Sequence, residues 1–344
     1  KNIATNNVFS FGKIRMSYGE IGIEPSPYAK KTTFRPGGVI ASWEDELLAA
    51  TYGNPFTRSD VLGNPDIKEE RVKELEFGAD LRFFKNSISL GFTYYDRKTE
   101  DAILLIDVPT STGYAAKQAN AATITNKGLE VDLGLKLLTQ GDFKWTLNAN
   151  YSFNDNLVTD LSGVESVFLA GFTGTSSRAV KGEAIGALWG GRFARDASGN
   201  YVLDANGFPT LDPTEGVLGD PNPDWIGGLG SVLSYKGLSL SVQFETSQGN
   251  EMWTGTEGVL KSFGIDPETA NISVAPQDLQ TYAGETIPAG TEFRGNIGNF
   301  GGGDVALDAD WYTAEGGGFG VQSETFIQDA SWTRLRELTL AYQL

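Results

Sequence analysis

The chain has 344 residues, 43 of them Gly and 11% aromatic, with no Cys, no His and a net charge of −17. Without Cys or His there can be no disulfide, no thiol nucleophile, no Ser-His-Asp triad and no imidazole capture of zinc or haem. The acidic balance disfavours a nucleic-acid partner. No run of 18 apolar residues exists for a membrane-crossing helix, a requirement that does not apply to barrel strands.

Period-2 alternation dominates the chain. Ile14, Met16 and Tyr18 make a weak first strand. Residues 43–52 have room for a short helix within a long connection. Residues 66–76 could be an amphipathic helix through Ile67, Val72 and Leu75. Strand from about Arg71 is favoured, because Leu75, Phe77, Ala79, Leu81 and Phe83 then alternate unbroken with Glu74, Glu76, Gly78, Asp80 and Arg82. Ile88, Leu90, Phe92 and Tyr94 form the next strand. Leu129 to Leu137 and Phe143 to Phe153 follow with the same spacing. A Gly-rich strand spans residues 225–235. Leu238, Leu240, Val242 and Phe244 come next, and Leu338, Leu340, Tyr342 and Leu344 last.

The connections between these strands alternate in length. Those around Lys85-Asn86, across 138–142 and at Lys236-Gly237 suit tight hairpins. Those at 21–70, 98–125, 154–223 and 247–326 are long. With antiparallel neighbours, every long loop falls on one side of the sheet, as in an outer-membrane barrel. Aromatic residues cluster toward both strand ends, as two membrane interfaces would select: Phe83, Phe84, Phe143, Trp145 and Tyr235 near the turns, Tyr94, Tyr95, Tyr151 and Phe153 near the loops. A soluble sandwich would share the alternation but has no reason to send all its long loops one way. The expected fold is all-β, an antiparallel transmembrane β-barrel segment of about eight strands with long extracellular loops.

Several motifs resemble those of the SusC/RagA family of TonB-dependent outer-membrane transporters. They are Lys13-Ile-Arg-Met-Ser-Tyr-Gly19, Asn64-Pro-Asp-Ile-Lys68 with Lys73-Glu-Leu-Glu-Phe-Gly-Ala-Asp80, and Tyr94-Tyr-Asp-Arg-Lys-Thr99. Val108-Pro-Thr-Ser-Thr-Gly113 with Thr125-Asn-Lys-Gly-Leu-Glu130 follows. Then come Gly219-Asp-Pro-Asn-Pro-Asp-Trp225 with Gln248-Gly-Asn250, and Asp329-Ala-Ser-Trp-Thr-Arg-Leu-Arg336. The resemblance implies a plugged barrel of about 22 strands, of which this chain would be the C-terminal-side part of the wall, without plug or closing strands. It also implies a Gram-negative outer membrane, surrounding lipid, a SusD-like surface lipoprotein as lid, TonB acting through a plug domain absent here, and a glycan or peptide substrate. The chain starts at Lys1 with no initiator Met, which reads as a fragment or a processed chain.

Little else suggests chemistry, and neither a catalytic residue nor a cofactor is assigned. Asp308 and Asp310 form a D-x-D that reads as a solvated loop pair rather than a cation site. Residues 196–200 and 204–207 echo calcium-loop composition but lack the later Glu, so hairpin turns are expected. Gly301–Gly303 and Gly316–Gly320 lack the Lys-Ser/Thr of a phosphate loop and read as flexible loop tips. Trp189, Trp253, Trp311 and Tyr312 lie in long loops, where exposed rings could stack on a sugar, grip a peptide, meet a partner or pack the loops. Residues 247–326 carry 12 acids against Lys261 and Arg294, an acidic surface suited to a partner or cations. The main expectation is a nutrient-importer component. A passive porin or structural surface barrel is the alternative, with a secreted adhesin and an enzyme behind it.

Overall fold

A computed structural model of the chain describes residues 6–36, 53, 56–172, 174–318 and 322–343. The possible helix at 43–52 and Leu344 lie outside the described residues. The wall is eight antiparallel strands in sequential order: β1 (Phe9–Ile23), β2 (Glu70–Phe83), β3 (Ile88–Asp107), β4 (Ala116–Leu138), β5 (Phe143–Asp160), β6 (Trp225–Tyr235), β7 (Leu238–Gln248) and β8 (Trp332–Tyr342). Residues 66–69 precede β2 as turn and coil, so the helical alternative there is not adopted.

The register explains why the alternation matters. Leu81 pairs with Leu90, and the row continues through Leu133, Ala149, Leu229, Phe244 and Leu335. One residue along lies a second row of Arg82, Ser89, Gly134, Asn148, Gly230, Gln243 and Glu337. Neighbouring strands thus keep their apolar residues on one face of the sheet, and a one-residue slip anywhere would break the row. Among the described residues nothing packs over that face: Phe77, Phe92, Tyr151, Leu229, Phe244 and Leu335 are all exposed. A contiguous apolar surface of this extent requires a non-aqueous neighbour.

The turns fix this register. Lys236 and Gly237 take φ of 45° and 85°, the paired positive values that match a two-residue turn to strand twist. Phe84, Lys85 and Asn86 are likewise at φ of 51°, 55° and 65°.

The strands run further outward than alternation indicated. β3 has 20 residues and β4 has 23, against the 9–11 or so that a bilayer needs. Most of the expected loop at 98–125 is therefore a continued hairpin, with its turn at 108–115 and Gly113 in the left-handed region. The pattern was hidden because the register shifts between Thr99 and Ala102, where Asp101 sits at φ 57° and inverts the phase. Above the shift Ala102 and Leu104 meet protein. They pack with Ala122, Ile124, Val158, Leu161, Val167 and Ala179.

The protein's buried core thus lies in the outer loops and not in the wall. A second cluster joins two loops: Phe193, Tyr201, Phe208 and Leu211 from the β5–β6 connection, and Tyr282, Phe300, Val305, Leu307, Trp311 and Tyr312 from the β7–β8 connection. Phe208 is fully buried, with its ring centroid 5.3 Å from those of both Trp311 and Tyr282. Polar contacts reinforce the seam. Thr175 Oγ1 donates to Ser323 Oγ at 2.5 Å, Ser323 N donates to Gly191 O at 2.9 Å, and Arg195 pairs with Glu324. The two loops form one folded lobe.

Gly316–Gly318, read as part of a flexible tip, are buried in this lobe instead. A Cβ on Gly316 would lie 2.2 Å from Trp311 Nε1, and one on Gly318 would lie 2.6 Å from the Phe326 ring. The absent side chains permit this close packing. Burial beside the run pushes the Glu315 carboxyl above its ordinary value, and its Oε2 has no hydrogen-bond partner among the described residues.

Two predictions follow from this division between wall and lobe. In the intact barrel, Leu133→Arg should cost about 2–4 kcal/mol in vesicle-based denaturant unfolding, whereas Asn148→Arg on the polar row should stay within about 0.5 kcal/mol. A raised folded pKa at Glu315 means stabilisation is complete below its unfolded value, about 4.3, and lost as pH rises through the folded value. Glu315→Gln should therefore increase hydrogen-exchange protection of the lobe at neutral pH, with the gain disappearing below about pH 4. Equal protection of both forms across that range would contradict the assignment.

Candidate functional site

Two features could carry function: the polar face of the wall and the mouth where strands enter the loops. On the polar face, charged side chains find cross-strand partners. Arg15 lies 3.3 Å from Asp80 and 3.9 Å from Glu76. Arg97 Nε meets Glu74 Oε2 at 2.5 Å, and Glu245 receives Arg334 at 3.1 Å and Arg336 at 2.7 Å. These pairs are partly exposed, so each contributes little stability, and their main effect is to keep the face polar and ordered. The Tyr95 ring lies directly over Gly128, where a Cβ would come within 2.2 Å. Its hydroxyl donates to Asn154 Oδ1 at 3.0 Å, and the Asn154 and Asn156 amides both donate to Asn126 Oδ1.

Farther toward the short turns the same face becomes nearly bare. Gly91, Gly134, Gly228 and Gly230, with Ser89, Asn148, Asn150, Ser241 and Gln243, line a depression of about 490 Å³. A face of small, hydrated groups leaves room for solvent, solute or another segment, as the inside of a large barrel must.

At the mouth, three of the motifs meet. Glu251 N donates to Asp220 O at 2.8 Å, and Asp220 N returns a bond to Glu251 Oε2 at 3.0 Å. Asn222 Nδ2 reaches Asp220 Oδ1 and Ile185 O. Gly249 N donates to Ser331 Oγ at 2.9 Å, and Ala330 N to Asn250 O at 2.8 Å. Gly249 sits at φ 86° with the Asp224 carboxyl packed where a side chain would begin. Segments 219–225, 248–253 and 329–332 therefore form one knot that ties the loop feet to the wall. In sequence the first two segments stand as one paired motif and the third stands apart. Their shared position at strand ends was the available signal.

The loop aromatics separate on inspection. Trp311 and Tyr312, two of the four candidate rings, are 5% and 4% exposed. Of the roles weighed for them they take that of packing the loops, in the core of the lobe. Tyr312 Oη accepts from Asn296 Nδ2 at 2.8 Å and donates to Glu268 Oε1 at 3.2 Å. Trp189 lies in a small loop sheet, its Nε1 donating to Glu215 Oε2 at 2.9 Å and its ring 5.1 Å from the Arg178 guanidinium carbon. Trp253 stands at the stem of the β7–β8 loop, paired with Ile327. The four residues do not converge.

The acid pairs have local roles. Asp308 caps the short helix 309–314 by accepting from Trp311 N at 3.1 Å, and burial pushes its carboxyl above its ordinary value. Asp196 accepts from Ser198 N and Asn200 N, and Asp204 from Asn206 N and Phe208 N, as hairpin turns require. Among the described residues no cluster of three or more His, Cys, Asp or Glu is placed to hold a metal.

Comparison with known proteins agrees with this geometry. Residues 4–344 match the family described as "TonB dependent receptor-like, beta-barrel". The chain is 26% identical to TonB-dependent receptor P3 of Formosa agariphila over 98% of its own length and 33% of that protein. It is 25% identical to TonB-dependent receptor SusC of Bacteroides thetaiotaomicron over 72% of its length and 26% of that protein. Among solved structures, a RagAB peptide transporter superposes with a TM-score of 0.65 at 20% identity, covering 98% of this chain and 35% of that one. The chain thus spans about a third or less of the relatives it matches. The family is one of outer-membrane transporters of Gram-negative bacteria and not of enzymes. The chain belongs to the TonB-dependent receptor β-barrel family, is related within it to SusC and similar in fold to part of the RagAB transporter, and forms part of an outer-membrane barrel wall with its extracellular loops.

Proposed function

We propose that this chain is the wall and outer-loop segment of an energised importer for glycans or peptides, working with a SusD-like lipoprotein lid and drawing energy from TonB through a plug domain. The observation that carries the reading is the pairing of a lipid-matched outer face with a polar, sparsely filled inner face. An adhesin needs no such inner face, whereas a transporter must pass hydrated solute along it. The folded lobe above the wall supports the lid. It is an ordered acidic platform rather than a set of loose loops. The resemblance to a peptide transporter and to SusC keeps both substrate classes in the reading.

Uptake by cells carrying the intact protein tests it. Labelled oligosaccharide or oligopeptide mixtures should accumulate in a protein-dependent way, and removing TonB should reduce accumulation by about ten-fold or more. Uptake unchanged without TonB would instead identify a passive barrel.

A further inference from the structure

The wall ends below in three short turns, and there the sign of the charge changes. With two strand residues on either side, the turns span residues 82–89, 137–144 and 234–239. These segments carry Arg82, Lys85, Lys144 and Lys236 against a single acid, Asp142. The whole chain has a net charge of −17, so this rim stands against the trend of the molecule. Asp142 lies 3.6 Å from Lys236 with both side chains more than half exposed, a weak pair that leaves the rim positive. Asp80, Asp132, Glu245 and Glu337 lie farther from the turns, on the polar rows.

The lipid boundary reaches the same depth. At the foot of the outward face Phe143 pairs with Tyr235, Tyr235 with Leu238 and Leu238 with Tyr342, and all four are exposed. Phe84, in the first turn, is exposed too. Aromatic side chains at the end of a barrel wall mark the level of the lipid headgroups. Lys85 directly follows Phe84. Lys236 directly follows Tyr235, its Nζ 5.4 Å from that ring's centroid. Both turn lysines therefore sit one residue beyond the apolar belt, where phosphates lie. Arg82 and Lys144 belong to the polar face and add to the same positive field.

Turn geometry alone does not call for lysine here. Lys85 and Lys236 adopt φ of 55° and 45°, in the left-handed region that Asn and Gly enter far more readily. Lysine at both positions costs turn stability and supplies a cation at headgroup depth.

We propose that Lys85 and Lys236 bind phosphates of anionic phospholipid in the periplasmic leaflet and so fix the depth of the wall. One phospholipid molecule meets both features of the rim, acyl chain against Tyr235 and Leu238 and phosphate against the lysine. A periplasmic protein or the plug would match the charge but leaves the adjoining apolar belt unexplained. The inference needs only the outer-membrane placement of the wall and holds for any imported substrate.

The experiment reconstitutes the intact receptor in vesicles containing phosphatidylglycerol or phosphatidylcholine, each with a photoactivatable headgroup. Crosslinked peptides are mapped by mass spectrometry. Phosphatidylglycerol should label residues 84–87 and 234–239 about five-fold or more above phosphatidylcholine, and high salt should reduce the difference. Lys85→Asn/Lys236→Asn removes both cations while suiting the turns better, so the barrel should fold and the preference should fall to near equality. Lys85→Arg/Lys236→Arg should keep it. Equal labelling of the wild type by both lipids, or an undiminished preference in the Asn pair, overturns the proposal. An Asn pair that keeps its lipid preference and loses TonB-dependent uptake would assign these lysines to a protein partner instead.

Discussion

Inside a bilayer there is no water to satisfy backbone N–H and C=O groups, so each must find a partner within the protein. In this chain the ladder between adjacent strands supplies those partners, and the ladder in turn fixes the register. Register then decides which side chains share a face. The apolar row from Leu81 to Leu335 exists only because seven strands keep phase with one another. The short turns on one side hold that phase, and Lys236-Gly237 shows how: two consecutive positive φ values match the turn to the strands' twist. Along the wall hydrophobicity no longer tracks burial: apolar Phe92 and Leu229 are exposed on one face, and polar Glu130 and Asp132 are exposed on the other.

Above the bilayer the ordinary relation returns. The loops bury Phe208, Phe326, Leu161 and Leu279 almost completely. Water surrounds this part, so apolar rings collapse onto one another, and those of the β5–β6 and β7–β8 connections find each other. The knot at Asp220, Asn250 and Ser331 holds the feet of these connections. The lobe is thereby fixed to the rim of the wall.

Membrane physics also explains what the sequence reveals. Along Leu129 to Leu137 one face meets lipid and the other water, so the contrast between faces is large and alternation is plain. Past Thr99 that contrast ends and a bulge shifts the phase, so the outer half of β3 and β4 resembles a loop in sequence. Which of their open roles Trp311 and Tyr312 take was not legible for a related reason. Their partners Phe193, Tyr201 and Phe208 lie more than 100 residues earlier, in a different connection, and no local pattern announces contact between two loops. Gly316–Gly318 show the same limit, since a glycine run that permits close packing has the composition of a flexible one. The paired motif at 219–225 and 248–250 and the motif at 329–336 were recognisable in sequence, but the contact between them was not.

The central claim is that one face of the wall touches lipid and the other touches water. Spin labels placed singly at positions 128 to 135 of the intact protein in bilayers test it most directly. Accessibility to oxygen, which concentrates in lipid, should be high at 129, 131, 133 and 135. Accessibility to a water-soluble nickel chelate or plug-type protection should mark 128, 130, 132 and 134. A two-residue oscillation in oxygen accessibility is the predicted result. Uniform chelate accessibility on both faces, or uniform burial on both, would contradict the account.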